Sequence, residues 1–276
     1  MKVIFDFGAN VGQNLEYYCQ KADKVIAIEA NPALCDEIAK KFESEIAQNR
    51  LVIVNSVLAQ REGTTTFWLN LQLSVLSQLD EPSDRENFRS VQLPGREIKS
   101  IIADNLNSGD EFLYSKFDLE GYDARALKNL FKSRNFPEHV SVEVQSLDAL
   151  AVLVFQKDYD KFKLVDGSQV ADKYKKVEVK IGENTRTFNF KHHSAGPFGE
   201  DLQEKTFTKW DLIREFNSIG TGWRDLHAEK SLRRATWWTN FSSVYSVLFL
   251  VTKFFPISRT LRLRILMKLY RFLSHA

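Results

Sequence analysis

Three carboxylates stand at the ends of apolar runs, where a folded sheet would turn them toward a ligand. Glu29 closes the run Lys24–Ile28, and Asp118 and Glu120 follow Phe112–Phe117 in the order Asp118-Leu119-Glu120-Gly121. A carboxylate at a strand end can accept both hydroxyls of a ribose, and a buried edge gains nothing from one left unpaired. Upstream lies Gly8-Ala9-Asn10-Val11-Gly12, between the apolar run Val3-Ile4-Phe5 and a helical pattern. Strand, glycine turn and helix start together bring a backbone close to a nucleotide-like ligand. Gly8 and Gly12 carry no Cβ, so a ligand can lie against main-chain atoms. The spacing is GxxxG, not GxGxxG, which leaves a pyrophosphate less room. An adenosyl ligand without phosphates fits better, and S-adenosylmethionine is the leading expectation. The same turn also reads as packing economy, since tight strand–helix turns occur without ligands.

Each of the other chemistry-bearing residues has a bland reading beside a sharp one. Asp118 and Glu120 also read as first-turn acids that match a helix dipole. His192 and His193 form a pair without Cys, Asp or Glu at zinc-like spacing, so a solvated loop is expected. Glu143 sits between Val142 and Val144 in a core strand pattern and is expected to point to the other face. Trp210, Trp223, Trp237 and Trp238 read equally as cleft-lining or as surface packing of an appended helix.

The elements that must position these residues alternate. Strands are expected at 3–7, 24–29 and 51–55, with helices at 10–21 and from Pro32 through Ile46, the second capped by Asn31. An antiparallel or edge strand is expected at 64–69, then a polar irregular stretch over 71–95, long enough to be functional. Helices at 98–105, 124–133 and 147–156 separate strands at 112–117, 140–144 and 162–165, and a strand pair at 176–181 and 185–190 follows. An amphipathic helix is expected at 207–219. This order implies an α/β fold with a Rossmann-like, doubly wound, mostly parallel sheet and a helical C-terminal extension. The expected division is a cofactor-binding domain over 1–190 and a substrate-capping, basic amphipathic extension over 191–276.

The chain resembles the FkbM family of class I S-adenosylmethionine-dependent methyltransferases. The resemblance rests on Asp6-Phe7-Gly8-Ala9-Asn10-Val11-Gly12, Ile28-Glu29-Ala30-Asn31-Pro32, Val54-Asn55-Ser56-Val57 with Gly63-Thr64-Thr65, and Lys116-Phe117-Asp118-Leu119-Glu120-Gly121-Tyr122. It covers roughly residues 3 to 166. It implies methyl transfer to an oxygen, commonly a hydroxyl of a sugar or secondary metabolite, so the expected acceptor is a small molecule or glycan. Carried over by position, Asp6, Gly8, Ala9, Asn10 and Gly12 belong to the cofactor site, Glu29 holds the ribose, and Asn55 and Ser56 flank the adenine. Asp118 faces the methionyl amine or the acceptor, and Glu120 is the expected general base. An alkyl hydroxyl has a high pKa, so a base or a divalent metal would help; Asp118 and Glu120 could hold Mg²⁺. The alternatives are an NAD-linked oxidoreductase, against which the GxxxG spacing argues, and a non-catalytic glycan- or membrane-binding protein that kept the fold.

Charge divides the chain. The 276 residues carry a net charge of +2, yet residues 230–276 hold nine Lys/Arg and no Asp or Glu, leaving 29 Lys/Arg against 36 Asp/Glu elsewhere. An acidic body with a basic, apolar tail points to an anionic partner for the tail. Residues 260–273 are amphipathic with a basic polar face, which describes a helix lying on a membrane surface or docking on protein. The expected partner of residues 237–276 is an anionic membrane; nucleic acid is disfavoured, because the positive charge is interleaved with apolar runs. Cys19 and Cys35 lack CxxC spacing, and Met1-Lys2 leads straight into a strand, so a cytoplasmic protein without a signal peptide is expected.

Overall fold

In the computed structural model, residues 1–219 and 222–231 are described. The first 55 residues alternate as β1 (Lys2–Phe7), α1 (Leu15–Lys21), β2 (Lys24–Glu29), α2 (Pro32–Lys41), α3 (Glu43–Ala47) and β3 (Leu51–Asn55). Asn31 caps α2 by accepting the Ala33 N–H at 3.1 Å, and Pro32 fills a first-turn position whose N–H a helix does not need. Two boundaries differ from expectation. The helix expected from Asn10 starts only at Leu15, because Asn10 and Gly12 hold φ of 49° and 71°, outside the helical region. The helix expected through Ile46 breaks at Phe42, with φ −117° and ψ 32°, and resumes as α3.

A small second sheet follows, in the order β4-β6-β5, from β4 (Val57–Leu58), β5 (Gly63–Asn70) and β6 (Phe88–Arg96). The stretch expected to be irregular up to Gly95 therefore ends in a strand. Val91, Leu93 and Gly95 alternate inward against exposed Ser90, Gln92 and Pro94, a period of two that the proline and glycine obscure in the sequence. The 71–87 segment remains a loop with two short 3₁₀ turns.

The chain continues as α4 (Ile98–Asn105), β7 (Glu111–Phe117), α5 (Asp123–Lys132), β8 (His139–Glu143), α6 (Leu147–Val154), β9 (Tyr159–Asp166), α7 (Val170–Lys173), the hairpin β10 (Val177–Ile181) and β11 (Asn184–Phe188), α8 (Lys209–Ile219) and β12 (Arg224–Lys230). The central sheet runs β3-β2-β1-β7-β8-β12-β9. All pairs from β3 to β8 are parallel, and β12 enters antiparallel between β8 and β9. Counted by sheet strands alone the order is 3-2-1-4-5-7-6, so the winding reverses between β1 and β7, where ligands collect in open α/β sheets. One apolar core lies under α4, α5, α6 and α8, the other under α1, α2 and the β10–β11 hairpin. This is the expected mixed α/β, mainly parallel, doubly wound architecture.

The sheet is not closed by residue 190. Its β12 comes from the segment expected to be an extension, and it escapes notice in sequence because Asp225 and His227 occupy its buried positions. Among the described residues no helix is long and apolar enough to cross a membrane. The expected membrane-facing segment 237–276, with Trp237 and Trp238, lies outside the described residues.

Candidate active site

The carboxyl ends of β1, β2, β3, β7 and β8 open into a cleft of about 340 Å³. Gly8, Asn10, Glu29, Ser56, Asp118 and Glu120 line it, joined by Glu143, Gln145, His193 and Trp223. Asp6, Ala9, Gly12 and Asn55, also expected in the cofactor site, do not line it.

The glycines of the turn have a packing reason first. Gly8 holds φ 86°, and a Cβ there would stand 1.9 Å from the Asp118 carbonyl oxygen. The turn after β1 and the turn after β7 thus touch backbone to backbone, and only glycine fits. At Gly12 a Cβ would press on Leu15, Ile38 and Phe42, so this residue seats the turn on α1 and α2. Gly8 and Ala9 both donate their N–H to the Ile28 carbonyl, at 3.0 and 3.1 Å, tying the turn to the end of β2.

Glu29 is fixed by that same turn. Its Oε2 accepts the Asn10 N–H at 2.8 Å and its Oε1 accepts the Asn31 N–H at 2.8 Å. Each oxygen keeps a lone pair, as the ribose-type role needs. Burial pushes its pKa up to about 7 against the pull of these two bonds. Asn55 acts one step back: its amide donates to the Glu29 and Ala30 carbonyls at 2.9 and 3.0 Å, holding the end of β2 in place.

Asp6 lies below the cleft floor. Lys116, buried on β7, places its Nζ 3.1 Å from Asp118, 3.7 Å from Asp6 and 3.3 Å from the Gly8 carbonyl. Burial raises Asp6 to about 6 despite Lys116, while the surrounding carboxylates, Asp118 and Asp6 first, outweigh burial and hold Lys116 firmly protonated. One buried cation thus binds the ends of β1 and β7 together and orients Asp118 toward solvent.

Beyond it, Glu120 and Glu143 meet. Gln145 Nε2 donates to Glu120 Oε2 at 3.0 Å and to Glu143 Oε2 at 2.7 Å, using both of its hydrogens. Burial, then the Asp118, Asp225 and Glu120 charges, push Glu143 well above the carboxylate range; burial also raises Glu120. Glu143, expected to face away, instead points into the cleft, because it is the last residue of β8, where the strand ends and the side chain clears the sheet. Glu120 holds φ 46°, a conformation uncommon for a side-chain-bearing residue. Asp123 maintains the turn by accepting the Leu119 and Gly121 N–H groups at 3.0 and 3.2 Å.

His193, expected in a solvated loop, rests on the cleft rim with its ring stacked on Trp223 at 5.5 Å and 25°. Gln13 reaches across to the His193 carbonyl at 2.8 Å. Gln13, Gln145 and Asp123 carried no recognisable signal in sequence; Glu143 and His193 did, but their direction depends on where strand and loop end. Tyr122, quoted in the resemblance without a role, lines the cleft as well.

The cleft offers unspent polar atoms. Asn10 Oδ1, Gln13 Oε1, Ser56 Oγ and Tyr122 OH are buried without a hydrogen-bond partner, and all four residues border it. Such atoms cost free energy unless a ligand meets them, so the residues present fit a polar cofactor laid from β3 to β7. Asp118, Glu120 and Glu143 bring carboxylate oxygens within 4.8 Å of one another, a hard donor set. The Gln145 amide already occupies one oxygen on each of two of them and leaves their other oxygens to a further partner.

Residues 6–161 match the methyltransferase FkbM domain. No curated protein matches the chain. Among solved structures, a methyltransferase FkbM from Methylobacillus flagellatus KT is similar at 17% identity and a TM-score of 0.40, covering 58% of this chain and 40% of that one. An S-adenosylmethionine-dependent O-methyltransferase from Thermotoga maritima is similar at 8% identity and a TM-score of 0.38, over 85% and 61% of the two chains. A precorrin-6y C5,15-methyltransferase from Geobacter metallireducens GS-15 follows at 11% and 0.37, over 83% and 79%. This chain therefore spans 40% of the length of the FkbM structure it resembles. The matched family segment, 6–161, takes in more than half of the 276 residues and contains the glycine turn, Glu29 and the Asp118–Tyr122 turn. The chain belongs to the FkbM methyltransferase domain family, whose members use S-adenosylmethionine as cofactor.

Proposed function

We propose that the chain is an S-adenosylmethionine-dependent O-methyltransferase acting on a hydroxyl of a small molecule or glycan. The observation that carries this reading is the way the cleft is sorted along the sheet edge. Glu29, Asn10 and Ser56 lie on the β1–β3 side, and Asp118, Glu120 and Glu143 on the β7–β8 side. When bound, the cofactor supplies a methyl group on a cationic sulfur whose departure as a neutral thioether is easy.

The chain's own residues do the rest. Glu29, held by two backbone N–H groups, accepts the ribose hydroxyls, and Ser56 and Tyr122 offer unpaired hydroxyls to the base. Asp118 places a negative charge beside the cationic end of the cofactor, and Lys116 keeps that carboxylate in position. Glu120 takes the acceptor's proton as the carbon–oxygen bond forms, a contribution of about 10²–10⁴ in rate for a positioned base. Glu143, held protonated by burial and its negative neighbours, leaves Glu120 as the partner able to accept. Trp223 and His193, stacked on each other and exposed on the rim, border the acceptor side. This reading gives proton removal to Glu120 and no step to a metal; full activity in excess EDTA is the expected result.

Calorimetric titration with S-adenosylmethionine and S-adenosylhomocysteine, beside NADH as a control, tests the cofactor. Labelled methyl donor with a panel of sugars and hydroxylated metabolites tests the acceptor. If neither adenosyl compound binds while NADH does, the reading is wrong. We infer from the basic, apolar composition of residues 237–276 that this segment meets an anionic membrane surface, at about 1 kcal/mol per basic residue near the bilayer. Deleting it should abolish sedimentation with anionic liposomes and leave cofactor binding intact.

A further inference from the structure

At the opposite edge of the sheet, where β1, β7 and β8 begin, a second cavity of about 690 Å³ lies beneath the β10–β11 hairpin. It is separated from the cleft by the length of a strand such as β1, ~20 Å for six residues. Five lysines line it: Lys2, Lys21, Lys161, Lys163 and Lys180. Three have carboxylate partners. Lys161 pairs with Glu229 at 2.7 Å, Lys180 with Glu200 at 3.2 Å and Lys21 with Asp201 at 2.8 Å.

The other two do not. Lys163 spends two of its three donors on the Gly199 and Leu202 carbonyls, at 3.0 and 2.6 Å, and has no carboxylate at ion-pair distance among the described residues; Glu229 and Glu204 act on its charge only from farther off, and burial outweighs them. Lys2 has no carboxylate at ion-pair distance from its ammonium among the described residues. The sequence beyond Ser231 contains no Asp or Glu, so it offers no side-chain carboxylate to neutralise this pouch.

A separate observation points to a ligand. His227 stands opposite Lys163 in the β12–β9 register, is 5% exposed, and its Nε2 has no hydrogen-bond partner. It borders a recess of about 20 Å³ that shares His139, Lys161, Lys163, Gly199 and Glu229 with the pouch. That is room for a single water or a single oxygen of an anion. An orphaned buried ring nitrogen is costly unless something meets it. Burial, then the His139 and Lys163 charges, push the His227 imidazole down to about 3, so the ring is neutral; in the tautomer with the proton on Nε2 that nitrogen donates into the recess.

We propose that this pouch binds the phosphoryl group of a small phosphorylated metabolite or of free phosphate, with Lys2 and Lys163 as its charge partners, the Lys161–Glu229 pair on its wall and His227 at its inner end. Ammonium groups converging from several elements suit a tetrahedral dianion, whereas a planar carboxylate is selected by an arginine fork, and no arginine among the described residues lines the pouch. The concave shape selects a small anion over an extended surface, and Glu200 and Glu229 on its wall are engaged by Lys180 and Lys161.

The test is calorimetric titration of the full-length protein with inorganic phosphate and, separately, citrate and chloride, at matched ionic strength. Saturable phosphate binding is expected, with citrate weaker. Lys161→Glu, a charge reversal at a half-exposed position on the wall of the pouch, should weaken phosphate at least tenfold, and His227→Phe several-fold. Both variants should bind S-adenosylhomocysteine as the wild type does, which separates loss of this site from loss of the fold or the cleft. Absence of saturable phosphate binding, unchanged affinity in Lys161→Glu, or tighter citrate than phosphate would each overturn the proposal.

Discussion

The two edges of one sheet carry opposite charge. At the carboxyl edge the cleft gathers Glu29, Asp118, Glu120 and Glu143, with Lys116 buried beneath them; at the amino edge the pouch gathers five lysines and two histidines. Parallel strands put all their carboxyl ends on one side, so residues far apart in sequence meet there in register, and their amino ends do the same on the other. The cleft is closely determined: nearly every carboxylate in it is held by a backbone N–H, a lysine or Gln145. The pouch is looser, with two lysines and an imidazole nitrogen short of partners. One segment touches both. His193 lines the cleft, Ser194 and Ala195 bond Asn14, Phe198 donates its N–H to the Tyr17 hydroxyl, and Gly199 and Leu202 hold Lys163.

The largest effect is expected from the chemistry at the carboxyl edge. Glu120→Gln preserves shape and removes the base, so turnover should fall by about 10²–10⁴-fold with cofactor affinity unchanged. A wild-type rate would reduce Glu120 to a first-turn acid and leave the acidic edge without its catalytic meaning. Next is Gly8→Ala, where the added Cβ meets the Asp118 carbonyl and the left-handed φ disfavours a side chain. Denaturant titration should show a loss of about 2–4 kcal/mol; a smaller change would mean that the β1 and β7 turns separate easily.

Glu29→Ala should weaken S-adenosylmethionine by about 1.5–3 kcal/mol, roughly tenfold to a hundredfold, as charge-assisted bonds are lost. Equal affinity of variant and wild type would take Glu29 out of the cofactor site. The pH dependence then has two opposite signs. Glu29 and Asp225 are raised to about 7 and Asp6 to about 6, so their contribution to stability is full below their unfolded values and is lost as pH rises through 6–7. Ligand-free protein should therefore melt lower at pH 8 than at pH 5.5. Cofactor affinity should rise over the same interval, because the ionised Glu29 is the better acceptor of ribose hydroxyls. Parallel trends would contradict this assignment. The smallest effect belongs to the amino edge: Lys180→Ala, at an exposed ion pair, should change stability by less than about 0.5 kcal/mol.

Much of this was legible in the chain. The run Val3–Phe7, the Gly8–Gly12 turn and Glu29 announce their strand, turn and strand-end positions through apolar periodicity and a capped helix, which are local properties. Asp118-Leu119-Glu120-Gly121 likewise marks the end of β7. Why Gly8 must be glycine lies in the tertiary structure, where the backbone of Asp118, a residue 110 positions away, leaves no room for a Cβ. Pro94 and Gly95 hid β6, whose pairing with β5 is settled only by the hairpin it closes. Asp225 and His227 hid β12, because a strand flanked on both sides within a sheet can bury polar residues that its neighbours accommodate.

The sequence by itself determined the winding of the first half, the family, and the carboxylates at the strand ends, because strand, helix and turn propensities act over a few residues. Only the tertiary structure decided that Glu143 joins Glu120 through Gln145, that Asp6 sits beneath the site on Lys116, and that five lysines from four separate elements share one pouch. Those contacts depend on sheet order and register, which emerge when the whole chain packs and no short window of residues encodes them.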